Sequence, residues 1–414
     1  MVHKIHFTHP IFSQLMSRNR FLAIVRFLHF SSNLDQTNGD RMFKIRSVLD
    51  YIRAKFKALY KPGQNICIDE SLLLFKGRLS FKQYIKTKRA RWGIKFYKLC
   101  DSLSGYIVDF LLYLGSKTEY TDNYKAGKSG CVVMTLMQPY LGKGYNLFTD
   151  NFYTSPTLCQ ILRFKNTNLC GTVKSNRQGM PRFVVKQKKL RNSSGKKPPK
   201  VVKLERGEMQ ERHTENMMVV RYMDKREVLM LTSMDQFDST LVQKKNRQDQ
   251  FKPSCVVNYN KNMGAVDKTD MLLSSIESAR KTIKWYKKVF FHLMDLSVLN
   301  AHVLYKTVTK KKISLHNFRL NLIEQLIEEH KVANLTPKGG RKSSEMPTRL
   351  IDRHFPSQIP PNPKKQAPTR VCHVCSNSLL HPRKRKESRI ECSDCGVALC
   401  MVPCFKEYHT LKKF

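Results

Sequence analysis

Acidic side chains are scarce in this chain. Its 414 residues hold 32 Asp plus Glu against 75 Lys plus Arg, a formal charge of +43. Such a surplus is far more than solubility requires. It attracts a polyanion, and nucleic acid is the ordinary candidate. Long apolar runs are also missing, for none reaches the roughly 18 residues of a membrane span. The basic blocks have no amphipathic apolar partner, so an anionic membrane surface is the weaker alternative. The opening MVHKIHFTHP lacks an apolar signal core, which argues against secretion. Twelve cysteines do not make a disulfide scaffold here. Six fall in the last 43 residues at metal-like spacing and the rest are scattered singly, as in a reducing compartment.

Scarcity directs attention to where the acids stand. In Asn65–Phe75, NICIDESLLLF, Ile66 and Ile68 alternate with polar or small neighbours after the Pro62-Gly63 turn, and Asp69-Glu70 follows at once. A second short strand, with Tyr145, Leu147 and Phe148, leads into Thr149-Asp150. A third pair, Asp267 and Asp270, sits at i and i+3 in GAVDKTDMLLSS, ahead of a helical run. Any one of these aspartates serves equally well as a turn or cap residue. Brought together, three carboxylates hold two divalent metals about 4 Å apart and drive in-line phosphoryl transfer.

Along the chain, apolar residues near a 3.6 period predict a helix or helix pair over residues 11–30 and another from Ile45 to Leu59. Residues 1–60 are therefore expected to form a small, partial helical unit. Trp92–Lys98 and Tyr106–Tyr113 read as a strand pair joined through Asp101-Ser102 and Gly105. Cys131–Met137 reads as a helix, and Ser155-Pro156 caps another running to Phe164. From Phe183 to Leu204 come eight basic residues and no acid, with Lys186, Lys188 and Lys189 as a block suited to phosphate contact or import. Two strands, Met217–Tyr222 and Val228–Thr232, follow, so 183–252 reads as a basic inserted piece. Pro253–Tyr259 is expected to be extended, Lys284–Tyr305 a long helix, and Phe318–Glu329 a further one. Seven prolines in 334–370 mark a linker.

The C-terminal signal is the strongest. Cys372-x2-Cys375, Cys392-x2-Cys395, Cys400, Cys404 and His409 give seven zinc-competent ligands in 38 residues. Seven ligands suggest two zinc ions, with the eighth ligand from His354, His373 or His381. His354 is favoured because Asp352-Arg353-His354-Phe355 is a compact polar-aromatic motif. The zincs would fold a module too small for a core of its own. Between the knuckles, Arg383, Lys384 and Arg385 suit DNA phosphates or nuclear import, while a protein-binding finger remains open.

MSRNRFLAIVRFLHFS, IDESLLLFKGRLSFKQY, RWGIKFYKLCDSLSGY, LFTDNFYTSPTL, GTVKSNRQGMP, YNKNMGAVDKTDML and the cysteine-rich tail together resemble the piggyBac family of transposases and their domesticated relatives. The resemblance runs in order over almost the whole chain. It implies an α/β fold: an RNase H-like catalytic core (61–182 and 253–333), a helical dimerisation and DNA-binding region before it (1–60), and an insertion domain (183–252). It also implies a cross-brace zinc finger (371–414) after the linker 334–370. By motif match the metal-binding acids are Asp69, Asp150 and Asp267, with Asp270 nearby, taking Mg2+ or Mn2+. Arg280, Lys281 and Trp285 lie where the family keeps residues near a DNA hairpin, though Trp285 serves equally as a core residue. The implied activity is cleavage and strand transfer at TTAA sites through hairpin intermediates, in the nucleus, on double-stranded DNA, by a homodimer where complete. The alternative is a domesticated or truncated DNA-binding protein that does not cut. Two departures stand out: Ala265 replaces the second glycine of the family's GGVD, and Lys86 and Arg89 stand where the family has prolines. The family also carries more sequence ahead of MSRNR.

Overall fold

In the computed structural model the chain divides into two compact units, Met1–Lys331 and Val332–Phe414. The structure describes residues 15–32, 34, 39–86, 88, 91–121, 126–181, 203–244, 247–278, 282–329, 348–350 and 353–414.

Helix α1 (Arg18–Phe27) begins where the Ser17 hydroxyl accepts a hydrogen bond from the Arg20 amide. It buries nothing, and Phe21, Leu22, Ile24 and Phe27 are all exposed. Helix α2 (Arg46–Leu59) instead turns Leu49 and Phe56 into the core. Arg53 of α2 donates to the buried Asp109 at 2.7 Å, an ion pair that fixes the helix to the sheet.

The sheet follows. Its strands are β1 (Asn65–Leu74), β2 (Gln83–Tyr84), β3 (Trp92–Asp101) and β4 (Ile107–Leu112). After helix α3 (Gly127–Met137) comes β5 (Asn146–Thr149), then helix α4 (Pro156–Phe164) and β6 (Asn168–Thr172). Strands β7 (Met209–His213), β8 (Met218–Met223) and β9 (Glu227–Thr232) complete it. The order is β2-β3-β1-β5-β6-β9-β8-β7, with β4 also on β3. Strands β1, β5 and β6 are mutually parallel and the other pairings antiparallel.

Local chemistry explains the connections. β3 and β4 meet through a turn in which Asp101 Oδ2 accepts from the Ser104 amide at 2.7 Å and Gly105 takes φ +75°. The parallel pairs need crossovers, and α3 and α4 supply them with buried apolar faces. Ser155 caps α4 with Pro156 at its first turn, as expected from sequence. At Gly171 a side chain would run into the Thr149 carbonyl, so glycine lets β6 close on β5. The mixed core sheet, flanked by N-terminal helices and followed by a Cys/His-rich region, is consistent with an RNase H-like core plus a cysteine-rich module.

Beyond β6 the structure adds to the expected layout and in places departs from it. β6 pairs with β9, so the strands read as part of an inserted piece continue the core sheet. A separate hairpin, β10 (Ser239–Lys244) with β11 (Arg247–Pro253), follows them. Pro253–Tyr259 is also not extended, for Ser254–Asn262 is helix α5. Val256 and Val257 suggest a strand by propensity, but Cys255, Val256 and Asn262 share a buried face at helical spacing. Helices α6 (Ala265–Ser274), α7 (Trp285–Thr309) and α8 (Leu315–Glu329) complete the unit.

The second unit is small. β12 (Pro356–Gln358) falls in the stretch expected to be linker, yet it pairs with β15 (Ile390–Cys392) after β13 (Arg370–Val371), helix α9 (His373–Asn377) and β14 (Glu387–Ser388). β16 (Val397–Ala398) adds a third strand, and helix α10 (Cys404–Thr410) ends the unit. Its buried centre consists of Cys372, Val374, Cys392, Leu399, Cys400 and Cys404.

Candidate metal centres

Asp69 lies in β1 one register position beyond Ile68, which pairs with Thr149, the last residue of β5. Asp150 follows Thr149 directly, so the parallel register sets the two carboxylates side by side. Glu70 joins them: carboxylate oxygens of Asp69, Glu70 and Asp150 all lie within 4.8 Å of one another. Backbone amides hold two of the three. Glu70 N–H donates to Asp69 Oδ1 at 2.8 Å, and Phe152 N–H to Asp150 Oδ1 at 2.9 Å. The Thr154 hydroxyl donates to the Asp150 carbonyl at 2.8 Å and braces the turn.

Crowded, half-buried anions resist ionisation. Burial, then the Glu70 charge, pushes Asp69 up to about 7. Asp150 is raised for the same two reasons. Lys95 is a cation whose charge acts on Glu70, Asp150 and Asp69, and its ammonium sits 4.7 Å from the ring centres of both Tyr97 and Phe152. Burial holds the Lys95 pKa below its ordinary value.

The other two acids sit on α6. Asp270 accepts from Ser71 Oγ at 2.7 Å and from the fully buried Lys98 at 2.8 Å. Burial alone would raise its pKa, but Lys98 and the Ser71 hydroxyl hold it below the usual carboxylate range. Lys98 stands opposite Asp69 in the β1–β3 register and fastens α6 to β3, while Ser71 ties α6 to β1, the strand that carries the first acid. Asp267 stands apart from the Asp69–Glu70–Asp150 group: its side chain is 70% exposed and takes a 3.0 Å ion pair from Lys88. A cavity of about 550 Å3 opens there, lined by Ser71, Leu73, Lys88, Asp267, Asp270 and His292 among others. Of the four acids singled out in the sequence, the structure thus groups Asp69 with Asp150, and places Asp267 and Asp270 on the neighbouring helix. Glu70 was the residue overlooked, although it adjoins Asp69 in the same acidic pair.

The second unit assembles two groups of four donors, each with its ligand atoms within 4.8 Å of one another. One comprises Cys372, Cys375, Cys400 and Cys404, the other His354, Cys392, Cys395 and His409. All eight sequence candidates are used, including His354. Cys375 Sγ lies 3.5 Å from Cys404 Sγ and 3.9 Å from Cys400 Sγ. His354 Nδ1 lies 3.5 Å from Cys392 Sγ and 3.6 Å from Cys395 Sγ. His409 Nδ1 donates to the Phe405 carbonyl at 2.7 Å, which leaves Nε2 to face Cys395. A tetrahedron with metal–sulfur bonds of about 2.3 Å has edges of about 3.8 Å, so both groups fit a tetrahedral ion.

A family model described as Transposase IS4 matches residues 3–302. The human PiggyBac transposable element-derived protein 3 is 26% identical over 412 residues, covering 96% of this chain and 64% of its own length. The human PiggyBac transposable element-derived protein 2 is 24% identical over 346 residues, 80% of this chain and 56% of that protein. The chain belongs to the piggyBac transposase family. It spans less than two-thirds of these two relatives. Its fold is similar to that of a piggyBac transposase in a cryo-EM synaptic complex with hairpin DNA. The TM-score is 0.65 and the identity 23%, over 97% of this chain and 83% of that one.

The family resemblance and the charge pattern singled out further residues for DNA. Lys186, Lys188, Lys189, Arg280 and Lys281 fall outside the described residues. Trp285 packs edge-on against Phe81 at 5.4 Å and is half-buried against the core. Arg383, Lys384 and Arg385 are exposed in the second unit. No described helix is long and apolar enough to cross a membrane.

Proposed function

We propose that this chain is a divalent-metal-dependent DNA transposase that cleaves and joins DNA at TTAA sites through hairpin intermediates. The observation that carries the reading is the meeting of Asp69 and Asp150 at adjacent parallel strand positions, with Asp267 and Asp270 on the neighbouring helix α6. Asp69, Glu70 and Asp150 form an all-oxygen donor set, which suits Mg2+ or Mn2+. Bound there, a divalent ion would supply positive charge for the phosphate oxygens and would lower the pKa of a water or 3′-hydroxyl. The chain's own residues do the rest. Asp69, once deprotonated, would serve as a ligand, and the amides of Glu70 and Phe152 keep the carboxylates aimed. Lys98 and Ser71 keep Asp270 ionised and α6 in place. Lys95, packed over Tyr97 and Phe152, offers positive charge beside the site for a phosphate.

The Cys/His groups suit two Zn2+ ions that fold the second unit, whose exposed Arg383, Lys384 and Arg385 would meet DNA phosphates. The partners proposed are double-stranded transposon-end DNA and a second copy of the chain, in the nucleus. A second reading, DNA binding without cutting, draws on Asp267, whose pairing with Lys88 keeps it out of the carboxylate group.

A pre-nicked end fragment flanked by TTAA, from the genome encoding this chain, separates the two. With Mn2+ and the full chain, hairpin or strand-transfer product is expected, and none from Asp150→Ala. Salt-dependent binding without product from the unaltered chain would establish the second reading instead.

A further inference from the structure

We propose that Lys88 is a tethered counter-cation: its ammonium occupies the place of a second divalent ion beside Asp267 and must leave before that ion binds. This rests on the metal-site reading above and adds a residue to it that sets the order and affinity of loading.

The argument starts from the unusual direction of the side chain. Lys88 Nζ lies 3.0 Å from Asp267 Oδ1, and its charge also acts on Asp69 and Asp270. Its side chain is only 21% exposed, whereas its partner is 70% exposed. The flexible amine therefore folds inward over an accessible acid instead of extending into water. An exposed ion pair contributes little by itself, so pairing with Asp267 alone is a weak reason for that posture. The crowding of acids is a better one. With Asp69, Glu70 and Asp150 already within 4.8 Å, further negative charge from α6 needs neutralising, and a compact ammonium on a long stem does that.

Two other lysines near the acids are built in. Lys98 is fully buried against Asp270, and Lys95 is held over Tyr97 and Phe152. Lys88 differs because it lines the 550 Å3 cavity together with Asp267 and Asp270, so it has space to move into. An ion held by Asp69, Glu70 and Asp150 takes no ligand from the Lys88–Asp267 pair, although the Lys88 charge acts on it through Asp69. An ion that takes Asp267 as ligand has to displace it, because two cations compete for one carboxylate. The released ammonium is then available to a DNA phosphate. The first ion thus binds tightly, and the second binds weakly until phosphate draws Lys88 away.

Mn2+ titration of the zinc-loaded full chain, followed by electron paramagnetic resonance, tests this without any turnover. The unaltered chain is expected to show one tight site and one much weaker. Lys88→Gln is expected to tighten the weaker site about tenfold or more and the tight one by a clearly smaller factor. Lys88→Arg, which keeps the charge, should behave like the unaltered chain. Adding Asp267→Asn to Lys88→Gln should abolish the gain. A short DNA duplex should tighten the second site in the unaltered chain but not further in Lys88→Gln. An unchanged or weakened second site in Lys88→Gln, at an unchanged melting temperature, would overturn the proposal. Asp150→Asn reports on the underlying reading separately: if it leaves the tight site intact, that metal site is wrong and the role of Lys88 falls with it.

Discussion

The two units concentrate metal-competent side chains by opposite means. In the first, Asp69 and Asp150 come from strands far apart in sequence and meet because a sheet with a large apolar core fixes their register. In the second, the donors themselves form most of the buried centre, since four of the six fully packed apolar-class residues there are cysteines. A core that positions ligands survives without metal, whereas ligands that constitute the core do not. The first unit is therefore a scaffold with a site, and the second a site that makes its own scaffold.

The largest effect expected from this contrast is loss of metal from the second unit. Chelation, or Cys392→Ala, should unfold residues 353–414, because structural zinc contributes about 10–16 kcal/mol of folding free energy in such modules. The first unit should remain folded. Both tryptophans, Trp92 and Trp285, belong to it, so their fluorescence should stay native while protease sensitivity appears at the C-terminus. Simultaneous loss of both signals would break the contrast.

A smaller effect runs the other way. Phe148 is fully buried in β5, beside the strand position that leads to Asp150. Phe148→Ala should cost about 3–5 kcal/mol in denaturant unfolding of the first unit. Zinc content per chain should not change, and a parallel fall in bound zinc would show that the units fold together.

The smallest effect is electrostatic and sharpens the idea of a site that the fold tolerates. Burial raises Asp69 to about 7, so between about pH 4 and 7 the folded state keeps a proton that the unfolded chain has lost. Stability of the first unit without divalent metal should therefore fall as pH rises through that window, then level off. The expected loss is about 2 kcal/mol, less than the full shift implies because the site is partly open to water. Asp69→Asn should flatten the profile, as read by urea unfolding at pH 5 and pH 8. A profile that keeps its slope in the variant would place the proton elsewhere.

How far the sequence disclosed each site follows from the same contrast. The CxxC spacings are local, so seven donors of the second unit could be named from the chain alone, and His354 was favoured among three candidates for the eighth. Their division into two interleaved groups could not, because spacing does not say which knuckle joins which. Asp150 was legible as a strand end and Asp69 as an acid after alternating isoleucines in a chain poor in acid, although β1 runs on through Asp69 to Leu74 instead of ending there. Glu70 was passed over because strand alternation directs neighbours to opposite faces, and nothing local announces that β5 stops at Thr149 and leaves room beside it. Lys98 and Lys88 were hidden among many lysines, and only the fold sets one against Asp270 and the other against Asp267. The valines of α5 misled by propensity, which tertiary burial overrode. The bond between β6 and β9 joins segments separated by a long basic stretch, a pairing that no local pattern encodes.

The interleaving of the two Cys/His groups has a mechanical consequence. Any break in the chain between Cys375 and Cys392 divides both sets of donors, two on one side and two on the other for the first, one and three for the second. That interval contains the exposed run Pro382–Lys386, an inviting place for a protease. With metal in both sites, a nick there would leave two peptides clamped by two ions and still migrating as one particle. Integrity of this unit would then be a property of its inorganic cross-links rather than of its peptide bonds.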